Sequence, residues 1–150
     1  MPRFMMLSEP RTGSTYLQSM LNLHFDVGCI KDILNDRYGP RADPIGDLNR
    51  QMSALRQPVV GFKTFPEHLA YHKLSLVEVV RRLDIRWVIV VWRENFLEMY
   101  VSYRIARKTG VWYSSQPASQ VDTVLCQISA TNTFIHQLVC NFSNRLNCYF

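Results

Sequence analysis

The sequence predicts an α/β domain, a three-layer sandwich with a central parallel sheet and helices on both faces. Three observations carry this. Short apolar runs at Phe4–Leu7, Val59–Lys63 and Trp87–Trp92 alternate with segments of helical spacing, the pattern of strands joined by helical crossovers. The last run holds six apolar residues without a break, as in a strand buried on both faces in the middle of a parallel sheet. The first run passes through a short polar turn straight into a helix-like pattern, the order of a β-α unit.

In chain order, Phe4–Leu7 is too short for a membrane span and is bounded by Pro10, so it reads as a strand. Ser14 to Leu23 follows as a helix with Leu17, Met20 and Leu21 on one face. Residues 25–50, rich in Asp, Asn, Gly and Pro, read as an irregular segment with a short helix near Ile30–Leu34. Loops of that length are uncommon unless functional. Gln51–Arg56 reads as a helical turn ending before Pro58. Val59–Lys63 is the second strand, and Pro66 opens a new turn. Leu74, Leu76, Val77, Val79, Val80 and Leu83 give a helix with a broad apolar face, for which Ser75 is a start signal. After the strand Trp87–Trp92, Asn95 to Lys108 reads as a helix stopped by Gly110. A longer helix is expected over residues 121–142 and a further strand at Leu146–Phe150.

The chain is 150 residues long, enough for one domain with a proper core. Its hydrophobic fraction of 47% and charged fraction of 19% are those of a globular protein. Neither a signal peptide nor a long apolar span is visible, so a soluble, cytoplasmic protein without membrane contact is expected. The net charge of +5 suits an anionic ligand. Arginines are scattered and no nucleic-acid motif is present, which argues against nucleic acid as partner. Cys29, Cys126, Cys140 and Cys148 form no C-x-x-C pair and no metal-like spacing with histidine, so buried thiols are expected and no metal.

The stretch with most chemistry is Pro10-Arg11-Thr12-Gly13-Ser14-Thr15-Tyr16-Leu17. A strand, a tight polar turn and a helix N-terminus in this order build an anion site. The first N–H groups of a helix lack internal partners and its dipole is positive there. Gly13 lets the backbone approach a phosphate closely, and Arg11 adds a fork of donors. Ser14 and Thr15 can cap the helix or bind the anion. The turn is not a Walker A loop, because no Gly-Lys-Ser/Thr follows, and it holds no cysteine nucleophile.

This phrase resembles the 5′-phosphosulfate loop of sulfotransferases that use 3′-phosphoadenosine 5′-phosphosulfate (PAPS), most closely their bacterial and carbohydrate-type branch. The resemblance implies a P-loop-like fold and a 5′-phosphate held by Arg11, Thr12, Gly13, Ser14, Thr15 and Tyr16. A second stretch, Val88-Ile89-Val90-Val91-Trp92-Arg93-Glu94-Asn95 through Ser102 to Arg104, resembles the family's 3′-phosphate site, with Arg93 and Ser102 as the matching residues. It departs from the pattern in one place. The arginine usually stands directly before the asparagine, and here that slot holds Glu94.

Lys63-Thr64-Phe65-Pro66 resembles the Lys-Thr-His-x-Pro segment of the cytosolic enzymes, with Phe65 where those carry the basic histidine. Lys63 is expected to stabilise charge on the bridging oxygen as the sulfuryl group leaves. In the carbohydrate-type branch a glutamate after the first helix is the base. Asp32, within Gly28-Cys29-Ile30-Lys31-Asp32-Ile33-Leu34-Asn35, is the nearest carboxylate at that place. His68 and His24 are the alternatives, by their pKa near neutrality.

The resemblance implies transfer of a sulfuryl group from PAPS to a hydroxyl or amine of a carbohydrate or small metabolite, with no metal. The family's acidic Tyr-Glu-Asp-like motif and closing basic loop have no counterpart, so a single domain over 1–150, truncated at its C-terminus, is expected. Two alternatives stand beside it: a non-catalytic, truncated nucleotide-binding domain, and a small-molecule kinase of related topology that lacks the Walker lysine.

Overall fold

The computed structural model describes residues 1–112. The chain divides into two compact units, Met1–Trp92 and Arg93–Phe150. The first contains β1 (Arg3–Ser8), α1 (Ser14–Leu21), β2 (Val27–Ile30), a single 3₁₀ turn (Asp36–Tyr38), α2 (Pro44–Ala54), β3 (Val59–Thr64), α3 (Pro66–Tyr71), α4 (Leu76–Arg82) and β4 (Ile85–Val91). Of the second unit, the described residues form one helix, α5 (Phe96–Thr109).

The four strands make one sheet in the order β2-β3-β1-β4, and every neighbouring pair is parallel. β1 lies inside, with Met5 beside Phe62 on one flank and beside Val88 on the other. Side chains alternate along each strand, so the two faces read directly from the sequence. Met5, Leu7, Val60 and Phe62 point to one face, where they pack with Leu48 and Met52 of α2, Leu69 of α3 and Val79 of α4. Phe4, Met6 and Ser8 point to the other, which α1 covers through Ser14 and Gln18. Helices therefore lie on both faces, the three-layer α/β arrangement that the alternating pattern predicts.

The sheet allows no bulk at Gly61. A Cβ there would lie 2.5 Å from the carbonyl oxygen of Phe4 and 2.6 Å from its ring. Phe4 thus fills the space beside Gly61, and the two strands approach closely because one of them has no side chain.

Several expectations change. Ile30 does not begin a helix; it ends β2, which pairs in register with β3 from Val27↔Val59 to Ile30↔Phe62. Tertiary pairing decides this short segment, too brief for its own pattern to show. The segment 25–50 is less irregular than its composition suggests, because α2 starts at Pro44 and Gln51–Ala54 is its last turn. Asp43 caps it, its carboxylate accepting from the Gly46 N–H at 2.9 Å. Pro66 opens a helix, α3, rather than a turn alone. Ser75 caps α4 and accepts from the Glu78 N–H at 3.1 Å, as its position signals.

Two further differences concern exposure. α1 buries its polar Ser14 and Gln18 and leaves Tyr16 and Met20 exposed, so of the apolar face expected at Leu17, Met20 and Leu21 only the two leucines are half-buried. β4 is an edge strand among the described residues, not a central one, and Trp87 remains 46% exposed. The helix expected over 121–142 and the strand at Leu146–Phe150 lie outside the described residues.

Candidate anion site at the carboxyl ends of β1 and β3

All four strands run the same way, so Ser8, Ile30, Thr64 and Val91 end at one edge of the sheet. The chain leaves β1 over one face through α1 and leaves β3 over the other through α3 and α4. Neighbouring strands whose connections part in this way open a crevice at their carboxyl ends, the usual ligand site of an open parallel sheet. Here the crevice falls between β1 and β3.

The turn from β1 into α1 occupies one wall. Arg11 and Gly13 both adopt positive φ, 68° and 87°. Gly13 is the N-cap residue of α1 and has no side chain to satisfy the first N–H groups. A Cβ on Gly13 would meet nothing within 4 Å, so the backbone is open on that side. Thr12 turns back, its hydroxyl donating to the Glu9 carbonyl at 2.9 Å. Ser14 is buried, while Tyr16 points outward at 72% exposure, so only its backbone belongs to this wall. The helix dipole and the first-turn N–H groups make the wall electropositive.

Lys63 forms the other wall. It is the penultimate residue of β3 and only 1% exposed. Its ammonium donates to Thr15 Oγ1 at 2.9 Å and pairs with Asp32 Oδ2 at 3.2 Å. The ammonium also lies 5.2 Å from the centroid of the Phe65 ring. A lysine so completely removed from water needs compensation, which Asp32 supplies as counterion and Thr15 as acceptor. Three residues far apart in sequence thus meet at one point: Thr15 on α1, Asp32 beyond β2, and Lys63 on β3.

Asp32 is held from behind. The Arg41 guanidinium donates to the Ile33 carbonyl at 3.1 Å and to Asp47 Oδ2 at 2.9 Å. That hydrogen bond, together with the nearby Arg50, holds the Asp47 carboxyl below the usual carboxylate range despite some opposing burial. The segment after β2 is therefore tied to the first turns of α2. Cys29 lies close by on β2, its thiol pushed up to about 12, chiefly by burial. Lys63 partly offsets that rise and Asp32 adds to it, which places the thiol within the field of the same ion pair. Gln18 reaches across from α1, its amide donating to the Cys29 carbonyl at 3.1 Å.

His68 is buried on α3, its ring 4.8 Å from that of Phe65. His24 is exposed and stacked on Phe25 at 4.9 Å. Of the three candidate bases, Asp32 makes a direct ion pair with Lys63. In the second unit, Arg93 forms an ion pair with Glu98, and Ser102 lies on α5. Asn95 caps that helix, accepting from the Glu98 N–H at 3.1 Å, and Gly110 ends it in the left-handed conformation. Sequence reasoning missed Ser8, the last residue of β1, which is buried at 3% exposure on the same face as Lys63. Its signal was present, since a hydroxyl at an inward strand position is out of place in an apolar run.

Among the described residues no group of three or more His, Cys, Asp or Glu is arranged to hold a metal ion. No described helix is long and apolar enough to cross a membrane. Comparison with family models, with curated proteins and with solved structures found no match.

Proposed function

We propose that the protein binds the phosphosulfate end of PAPS at this crevice and transfers its sulfuryl group to a hydroxyl or amine acceptor. One observation carries the reading: a buried Lys63 set between Thr15, at an electropositive helix N-terminus, and the carboxylate of Asp32. An anion site and a proton acceptor then stand on either side of one fixed cation. The acceptor oxygen attacks sulfur in line, forming a new S–O bond. The bond from sulfur to the 5′-phosphate oxygen breaks, and its electron pair stays on that oxygen. Lys63 and the first N–H groups of α1 stabilise the charge that develops there. The acceptor proton passes to Asp32. Catalysis of this kind rests on positioning and electrostatics, as in phosphoryl transfer.

A second reading is favoured by the Arg93–Glu98 ion pair. With its guanidinium engaged by a carboxylate, Arg93 is a weaker ligand for a 3′-phosphate. The protein would then be a non-catalytic anion- or nucleotide-binding domain. Thermal shift with 3′,5′-ADP and with ATP–Mg²⁺, followed by a turnover assay with PAPS, separates the readings. A rise in melting temperature with 3′,5′-ADP and sulfated product support the first. A shift with ATP–Mg²⁺ alone would remove it, and binding of 3′,5′-ADP without turnover would leave the second.

A further inference from the structure

Two buried polar atoms at this crevice have no hydrogen-bond partner among the described residues: Ser8 Oγ and Asp32 Oδ1. Leaving such atoms unpaired in the interior is destabilising, so a fold retains them at a cost unless a ligand completes them. Their chemistry is opposite. The Ser8 hydroxyl can donate a hydrogen bond, whereas an ionised Asp32 can only accept one. Lys63 stands with both: it pairs with the other oxygen of Asp32, and it shares with Ser8 the face of the sheet that α1 covers.

We infer that Ser8 is a ligand-binding residue, donating to a non-bridging oxygen of the sulfate or phosphate held at the α1 N-terminus. Asp32 Oδ1 takes the hydroxyl or amine hydrogen of the acceptor on the far side of Lys63. The crevice therefore selects a pair of groups: a tetrahedral oxyanion toward β1 and a hydrogen-bond donor toward β2. The inference rests only on the anion-binding part of the proposed function, not on the identity of the nucleotide.

The test exploits the opposite signs that ligand-binding and structural roles predict. Ser8→Ala in the full chain removes an unpaired hydroxyl and leaves the strand intact. The melting temperature without ligand should stay the same or rise. Affinity for inorganic sulfate and for 3′,5′-ADP, measured by isothermal titration, should fall about tenfold. A lower melting temperature with unchanged affinity, or failure of the variant to fold, would show the hydroxyl to be structural and overturn the inference. So would a wild-type protein that binds neither sulfate nor 3′,5′-ADP at millimolar concentration. A loss of sulfate affinity in Ser8→Ala upholds it even where 3′,5′-ADP binds no better than ATP, a result that would instead count against the PAPS reading.

Discussion

At Lys63 the energetics turn on one pairing. Lys63→Met leaves the Asp32 carboxylate largely enclosed without its cation, and should lower stability by about 3–5 kcal/mol in urea unfolding. Adding Asp32→Leu should restore much of that loss, because a buried pair replaced by apolar groups is close to neutral. Additive losses in the double variant would show that the two side chains do not interact. Cys29 offers a pH test with a defined sign. Its thiol keeps its proton in the folded state until about 12, whereas an unfolded thiol ionises near its ordinary 9.0. Unfolding therefore releases a proton between those values, and stability falls as pH rises through that window. Relative to Cys29→Ala, the wild type should lose stability at a slope approaching about 1.4 kcal/mol per pH unit. Equal pH dependence of the two proteins would mean the thiol is not held protonated.

Among the elements, the contact between β1 and β3 depends on a missing side chain. Gly61→Ala places a methyl against the Phe4 carbonyl and ring, and should destabilise the domain by about 1–3 kcal/mol, read from the urea midpoint. No change would show that the strands can separate freely. Elements with a strong period or a clear cap were legible in the sequence: β1, β3, β4, the Ser75 cap of α4, and α5 between Asn95 and Gly110. β2 was not, because four residues with a glycine among them carry too little pattern, and pairing with β3 decides their conformation. α2 was masked by the Asp, Asn and Gly around it, although Asp43-Pro44 is a start signal. At the site, Thr15, Asp32 and Lys63 were each nominated separately. Their meeting at a single ammonium is a product of strand order, which no local pattern carries.

For the whole molecule, the proposed function makes a prediction at the second unit. If Arg93 is the 3′-phosphate ligand, Arg93→Ala should weaken 3′,5′-ADP strongly and leave 5′-AMP nearly unchanged. Glu94→Arg should then have little effect. A gain of about 1–3 kcal/mol from Glu94→Arg, with no loss from Arg93→Ala, would move the contact by one residue. Isothermal titration of both variants with both ligands decides it. The strand order has a further consequence, for the protein as it is being made. β1 is synthesised well before both of its neighbours, β3 ending at Thr64 and β4 at Val91. At ordinary elongation rates the nascent Phe4–Leu7 run waits roughly three to ten seconds outside the ribosome before its first partner strand is complete. During that interval the segment that will lie inside the sheet is an exposed apolar peptide, open to chaperone capture or to pairing with another nascent chain.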